Sequence, residues 1–330
     1  MASDVLVTGA GGFIGSHLCE ALVGRGDRVR ALVHYNGRGD AGRIESVPPE
    51  VRSAIEVVAG DIRDPYALRD LVRGRELVFH LAALIAIPYS YVAPHSFFVT
   101  NTLGTVHLLQ AAREEGAARV VHVSTSECYG SAQSIPISED HPLVAQSPYA
   151  ASKIGADQAA GSFCRAFEVP VVTVRPFNTF GPRQSARAII PTIITQALTL
   201  GVVRLGALEP TRDLTFVTDT VAGMIAAADA PAVIGETINL GTGEHISIGD
   251  LATRIFELLE QAGVHAHIEH DAARLRPPGS EVERLCSDRS KAKRLLGWEP
   301  QVSLTDGLLA TIASIRTDID SYPGVGSYQR

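Results

Sequence analysis

Three groups of residues have the types and the spacing to do chemistry. Residues 8–17 read TGAGGFIGSH, with Gly9, Gly12 and Gly15 three apart and Phe13 and Ile14 between the last two. Glycines there, between a strand and a helix, let the backbone turn tightly and approach a pyrophosphate, whose charge then rests on the helix N-terminus. The spacing is GxxGxxG rather than the commoner GxGxxG. In SPYAASKIGAD, Tyr149 and Lys153 lie four apart, on one helical face. An ammonium beside a phenol favours phenolate, which takes a proton near neutral pH. Any helix can carry such a pair, so it gains meaning only beside the other groups. The third group is HVSTSECYG (122–130), where the apolar Val120 and Val121 lead into Ser124, Thr125, Ser126 and the carboxylate of Glu127. A strand that spills small polar groups from its end spills them into a site.

These residues need elements to hold them. VLVTG (5–9), VRALVH (29–34), IEVVAGD (55–61), ELVFHLAAL (76–84), ARVVHVSTS (118–126) and VPVVTVRPF (169–177) read as strands. They are apolar on both faces, as parallel strands covered by helices must be. Helical patterns fill the gaps: SHLCEALVGRG, PYALRDLVRG, NTLGTVHLLQAAREEG and YAASKIGADQAAGSFCRAFE. The alternation predicts an α/β fold, a Rossmann-like doubly wound parallel sheet. After Phe177 the rhythm breaks into loops rich in Pro, Arg and Gly. The expectation is a dinucleotide-binding unit over 1–177, rejoined by about 215–242, and a smaller substrate-binding lobe over 178–330 that closes on the carboxyl ends of the strands.

Composition narrows the partners. The chain has 330 residues, 45% hydrophobic and 20% charged, with a net charge of -7. A soluble globular protein is expected, and nucleic acid is excluded as main partner because phosphate backbones need a basic face. The run AIIPTIITQALTLGVV (188–203) approaches the length of a membrane span, but Pro191, Gln196 and its threonines read as a buried soluble helix. No leader-like segment opens the chain, and four scattered cysteines without a CxxC pair suit reduced thiols, so a cytoplasmic protein off the membrane is expected. His265, His267 and His270 in HAHIEH resemble a metal cluster, but their alternation fits a strand with solvated histidines, and no metal is expected. No GxSxG elbow or Ser/His/Asp set points to hydrolysis. The tail SYPGVGSYQR reads as loose.

The end of the second strand, HYNGRG (34–39), lacks the acid that would hold an adenosine ribose. His34, Asn36 or Arg38 could serve, and Arg38 could accept a 2′-phosphate, so NAD and NADP both stay open. Asp61 and Ile62 suit the adenine edge; Asp61 reads equally as an ordinary helix cap.

TGAGGFIG, GDIRD, HLAA (80–83), STSECYG, YAASK, RPFNTFGP (175–182), RDLTFVTD (212–219) and LGWEP together resemble the extended short-chain dehydrogenases of the NAD-dependent nucleotide-sugar epimerase/dehydratase family, over essentially the whole chain. The resemblance implies NAD as cofactor, with Leu81, Ala82, Ala83 and Pro176 lining it, and a UDP-sugar as substrate. It implies Thr125 as the ligand of the sugar O4, Tyr149 as catalytic base and Lys153 as its partner and ribose ligand. It implies Asn178, Arg212 and Arg276 on the nucleotide diphosphate and Pro88 beside the substrate. Each arginine reads alternatively as a surface ion pair, worth little. A homodimer through helices 101–115 and 149–167 is also a family implication.

Members of this family oxidise the sugar at C4 and then diverge. A 4,6-dehydratase needs an acid and a base near C5 and C6. Many carry Thr-Asp-Glu where this chain has Thr125-Ser126-Glu127; GDP-mannose 4,6-dehydratases resemble it in having Thr-Ser-Glu, and HLAALIAIPYSY and RPFNTFGPRQSARAIIPTIITQ resemble dehydratases of the legionaminic acid pathway. Glu127 is then a C5 base. A 4-epimerase needs neither group. Arg183 belongs to a GPRQ turn common in the family, which leaves Arg187 surplus and suited to a C6 carboxylate through paired hydrogen bonds. Ser126 would not repel that carboxylate, as an aspartate would. The sequence reading therefore ranks a UDP-hexuronate 4-epimerase, interconverting UDP-glucuronate and UDP-galacturonate, ahead of a 4,6-dehydratase, with a decarboxylating UDP-pentose synthase third. Glu127 is the awkward residue, unless it is a structural carboxylate at the strand end. A non-catalytic cofactor-sensing regulator is disfavoured because Tyr149, Lys153 and Thr125 are all present.

Overall fold

Seven strands, all parallel, form the central sheet: β1 (Asp4–Thr8), β2 (Arg28–His34), β3 (Ile55–Gly60), β4 (Leu77–His80), β5 (Arg119–Val123), β6 (Val171–Pro176) and β7 (Thr237–Leu240). The structure is a computed structural model and describes residues 2–322. The sheet order is β7-β6-β5-β4-β1-β2-β3. Strand order reverses between β1 and β4, and a crevice must open there beyond the carboxyl ends. Register sets those ends side by side, with Thr8 against His80, His80 against His122, and Val123 against Val174. Val5, Val7, Val120, Val121, Val172 and Val174 are fully buried, so both faces of the sheet are covered.

Two strands stop earlier than the apolar runs that suggest them. The run from residue 76 to 84 leaves the ladder at His80, because Asn101 takes over the backbone of Leu84. Its Oδ1 accepts from Leu84 N at 2.8 Å and its Nδ2 donates to Leu84 O at 2.9 Å. Asn101 reaches this point from a wide turn of π-helix, Phe98–Leu103, at the start of the helix Gly104–Glu115. The fifth run stops at Val123 because Thr125 caps a 3-10 turn, Ser126–Tyr129, accepting from Glu127 N at 3.2 Å.

The membrane-like run 188–203 is the helix Ile189–Leu200, ended by Gly201 in the left-handed region, φ 67°, and followed by a short strand, Val202–Leu205. That strand pairs with His267–His270, whose histidines are exposed; no metal-binding group occurs among the described residues. No described helix is long and apolar enough to cross a membrane. Beyond β6 the chain makes two small ladders, Asn178–Phe180 with Leu214–Phe216 and Thr211–Arg212 with Ile246–Ser247. The late LGWEP motif returns to the helix Val217–Asp229: Trp298 Nε1 donates to Asp219 O at 2.9 Å, and Asp219 Oδ2 accepts from Gln301 N and Val302 N. Of the tail expected to be loose, Tyr322 is buried, with Arg43 over its ring; residues 323–330 lie outside the described residues.

Candidate active site

At the crevice, Gly9 ends β1 with φ 71°, and a Cβ on it would lie 2.7 Å from Ala82 N. A Cβ on Gly15 would lie 2.3 Å from Gly9 O. Both glycines are required by close approach as well as by the turn. Gly12 begins the helix Phe13–Arg25 with no side-chain cap, which leaves its first N–H groups available to an anion. Ile14 and Phe13 are half-buried behind the turn, and Leu81 N and Ala82 N bond Thr8 across the crevice, at its carbonyl and its Oγ1. Ala83 follows in the same segment, and Pro176 ends β6, buried beside Leu240. The cradle fits a dinucleotide pyrophosphate.

Around β2 the structure sorts the candidates. Asn36 is committed to its own loop. Its Nδ2 donates to Asp40 O and its Oδ1 accepts from Arg38 N, both at 3.0 Å, so holding a ribose would cost it these bonds. Arg38 is exposed and lies 3.8 Å from Asp40, an acid just past the stretch that seemed to lack one. A 2′-phosphate there would meet a partly neutralised cation. His34 is exposed at the strand end. Asp61 is paired with Arg63, whose hydrogen bond holds its carboxyl below the usual range. The neighbouring helix is capped instead by Asp64, which accepts from Tyr66 N and Ala67 N. Ile62 is buried against Gly104.

The helix Pro148–Phe167, capped by Ser147, carries Tyr149 and Lys153 on its inner face, 7% and 3% exposed. Burial, with the nearby Cys128 and Glu127, pushes the Tyr149 phenol well above the ordinary value, against a lowering influence from Thr125. Lys153 Nζ donates to Val123 O at 2.8 Å, and burial pulls its pKa down. The chain alone therefore leaves Tyr149 as a neutral phenol, and burial outweighs the depression that its spacing from Lys153 predicts. The positive charge of an oxidised nicotinamide bound in the cradle would favour the phenolate.

Beyond Thr125, Ser126 and Glu127 are both buried. Glu127 Oε2 lies 3.8 Å from Arg276 Nη1, and Glu127 also attracts the buried Arg212. Arg212 donates to Thr211 O and Val282 O, at 2.9 and 2.8 Å, and its Nη2 lies 3.2 Å from Glu281. Asp213 fixes the strand under it, accepting from Thr242, Gly243 and Ser287. Arg276 Nη1 and Asn178 Oδ1 are buried without a hydrogen-bond partner in the chain. Two guanidiniums and an idle amide oxygen suit an anionic, hydroxyl-bearing ligand such as a nucleoside diphosphate. Pro88 lies in the first turn of the helix Ile87–Val92, whose Tyr91 hydroxyl bonds Ser280 of the Arg276 segment.

Arg187 does not join this group. It sits on an exposed turn, its backbone N–H turned to Ser185 Oγ at 3.4 Å, and its guanidinium has no ion pair among the described residues. The carboxylate of Glu127 faces Arg276 and Arg212 instead. Arg183 is structural, bonded to His17 and to Glu20 at 2.5 Å. Glu281 and Asp213 were missed by sequence reasoning. The acid of SE, five residues after Arg276, was the available signal for the first, and nothing local marked the second.

The sequence profile of the family described as GDP-mannose 4,6 dehydratase matches residues 6–311. A UDP-glucose 4-epimerase from Mycolicibacterium smegmatis is 34% identical over 94% of this chain and 98% of its own length. The structure of a UDP-glucuronic acid 4-epimerase from Bacillus cereus, complexed with UDP-glucuronic acid and NAD, is 33% identical, with a TM-score of 0.85 over 95% of this chain and 99% of its own. That of a dTDP-glucose 4,6-dehydratase from Streptomyces venezuelae with NAD bound is 32% identical, with a TM-score of 0.84 over 97% and 99%.

Proposed function

This chain belongs to the NAD-dependent nucleotide-sugar epimerase/dehydratase family of extended short-chain dehydrogenases, and from that premise we propose that it is a nucleotide-sugar 4,6-dehydratase. The observation that carries the choice is Glu127, a carboxylate buried within electrostatic reach of Tyr149, while Arg187, the cation that motivated a uronate substrate, stands apart on an exposed turn. A C6 carboxylate placed beside Glu127 would meet like charge.

In this reading Gly9, Gly12 and Gly15 admit the pyrophosphate of NAD, and Lys153 holds the nicotinamide ribose. Bound there, NAD would supply the oxidant for C4 and, once reduced, the reductant that closes the reaction. Tyr149 takes the O4 proton, and Thr125 holds O4 in line by a hydrogen bond. The C4 ketone so formed acidifies C5–H. Glu127 takes that proton as the C5 carbanion forms, the C6–O bond breaks, and the same proton leaves with the C6 hydroxyl as water. Reduction at C6, with the proton that Tyr149 took going to C5, would then give a 4-keto-6-deoxy sugar without net redox change. Arg212, Arg276 and Asn178 hold the diphosphate and spend binding energy on position. Asp40 beside Arg38 favours NAD over NADP.

A second reading is the UDP-hexuronate 4-epimerase, supported by Ser126 in place of an acid and by the likeness to the Bacillus cereus structure. It keeps the first half of the chemistry and leaves Glu127 as a structural carboxylate for the arginines. Incubation with UDP-N-acetylglucosamine, GDP-N-acetylglucosamine and UDP-glucuronate, followed by NMR, separates the two. A 4-keto-6-deoxy product from a neutral sugar is expected. Conversion of UDP-glucuronate to UDP-galacturonate with the neutral sugars untouched would sink the dehydratase. The same proposal carries a homodimer through the helices Gly104–Glu115 and Pro148–Phe167, to be weighed by light scattering, and a cytoplasmic location that suits four free thiols.

A further inference from the structure

One turn beyond Lys153 the same helical face carries a third buried polar residue, Asp157, 7% exposed. Both of its oxygens are taken. Oδ1 lies 3.0 Å from His122 Nε2, and Oδ2 lies 3.1 and 2.9 Å from Arg175 Nε and Nη2. His122 is the residue before Val123, whose carbonyl receives Lys153. Arg175 continues to Tyr129, with Nη1 3.0 Å from the hydroxyl, and that hydroxyl donates to Asn239 Oδ1 at 2.7 Å. Tyr129 ends the 3-10 turn that Thr125 begins. One carboxylate thus ties together the strand, the turn and the helix that carry Val123, Thr125 and the Tyr149–Lys153 pair.

None of this is needed for a hydrophobic core, and a buried ion pair is weak evidence for stability. Its charge pattern has a clearer use. Against the burial that would raise it, the His122 hydrogen bond and the Arg175 charge hold the Asp157 carboxyl down to about 2. Burial keeps His122 and His80 neutral. Lys153, nearly buried and with one hydrogen bond to a carbonyl, faces Asp157 from its own helix, His122 and His80 from the sheet, and Cys128 from the turn. Among these, Asp157 is the standing anion; Glu127 faces Tyr149 rather than Lys153.

We propose that Asp157, clamped between His122 and Arg175, is a positioning residue that holds the Lys153 ammonium charged and fixed against Val123, and through it sets the pH at which Tyr149 becomes a base. The inference rests on the reading of Tyr149 as the O4 base and is common to the dehydratase and the epimerase.

The sign of one measurement separates this role from a structural one. Removing a negative charge, acting directly, makes a nearby phenol ionise at lower pH, and loosened packing that admits water does the same. Loss of Asp157 makes Tyr149 ionise at higher pH by discharging Lys153 or by loosening Thr125, and a Lys153→Met background tells the two apart. The full-length, NAD-loaded protein is titrated at 295 nm, and the Tyr149 signal is taken as the difference between each protein and its Tyr149→Phe counterpart. Asp157→Asn is expected to raise the ionisation pH by about one unit or more. In a Lys153→Met background the same change is expected to give no further rise. A fall, no shift, or an equal rise without Lys153 would overturn the proposal. Asp157→Glu keeps the charge and is expected to titrate near the wild type; a value as high as that of Lys153→Met would overturn the proposal, and this arm stands alone if Asp157→Asn does not fold. Because the readout needs no turnover, an inactive enzyme toward every sugar tried counts against the reaction assigned to Tyr149 and leaves this test intact.

Discussion

Glutamine at position 127 keeps the shape of the side chain and removes its capacity to accept a proton. With a neutral nucleotide sugar, Glu127→Gln is expected to lower formation of 4-keto-6-deoxy product by at least about 100-fold, the span of one general base. In the proposed reaction oxidation at C4 draws on Tyr149, Lys153 and Thr125 and not on Glu127, so reduced cofactor should still appear at 340 nm and then persist. Loss of both signals together would show that Glu127 serves the arginines rather than C5. Tyr149→Phe is its complement: no 340 nm signal, with NAD content of the purified protein unchanged. Arg187→Ala tests the residue on which the uronate substrate rests. From its exposed turn it is expected to change kcat/KM by less than about twofold, within the reach of surface substitutions, whereas Arg276→Ala should raise KM by tenfold or more through loss of a charge-assisted contact. A large loss in Arg187→Ala confined to UDP-glucuronate would restore the epimerase.

At the scale of elements, the helix after β3 poses a local question. Asp61 and Asp64 both stand in GDIRD, and periodicity cannot tell which one caps. The structure gives Asp64 the backbone N–H groups and Asp61 the guanidinium of Arg63. Asp64→Ala is therefore expected to cost about 1 kcal/mol, read as a lower urea midpoint, and Asp61→Ala much less. The same division shows what a sequence can carry. Six strands of the sheet and the helix of Tyr149 and Lys153 were legible because apolar runs and small-residue turns are local signals. The ends of β4 and β5 were not, since Asn101 and Thr125 stop them by side-chain bonds to backbone, one from 17 residues away. The glycine cradle and the Tyr149–Lys153 pair could be read from spacing, and Thr125 came only with the family resemblance. The partner of Glu127 could not, because Arg276 arrives through a loop and Arg212 on the short strand Thr211–Arg212, whose places depend on long-range anchors such as Asp213.

Across the whole molecule, buried histidines set how the fold responds to acid. Burial, with the neighbouring Arg183 charge, pulls His17 down to about 4; burial also holds His80 well below the ordinary value and lowers His122. Each remains neutral in the folded chain at a pH where the unfolded chain protonates it, near 6.5. The unfolded state then binds more protons, so stability falls as pH falls below about 6.5, by up to about 1.4 kcal/mol per unit for each such histidine. Asp157 adds a loss in the same direction, but only below about 4, where the unfolded carboxyl takes a proton and the folded one does not. Between pH 6.5 and 5 the histidines act before most carboxylates titrate. Chemical unfolding followed at half-unit steps should show a falling urea midpoint over that window. His17→Gln, which removes the histidine bonded at the Pro182–Arg183 turn, should flatten the slope even if it lowers stability at pH 7, because it deletes one proton from the difference. An unchanged slope in His17→Gln would mean that His17 titrates alike in both states and that the acid response belongs to the sheet histidines, His80 and His122, alone.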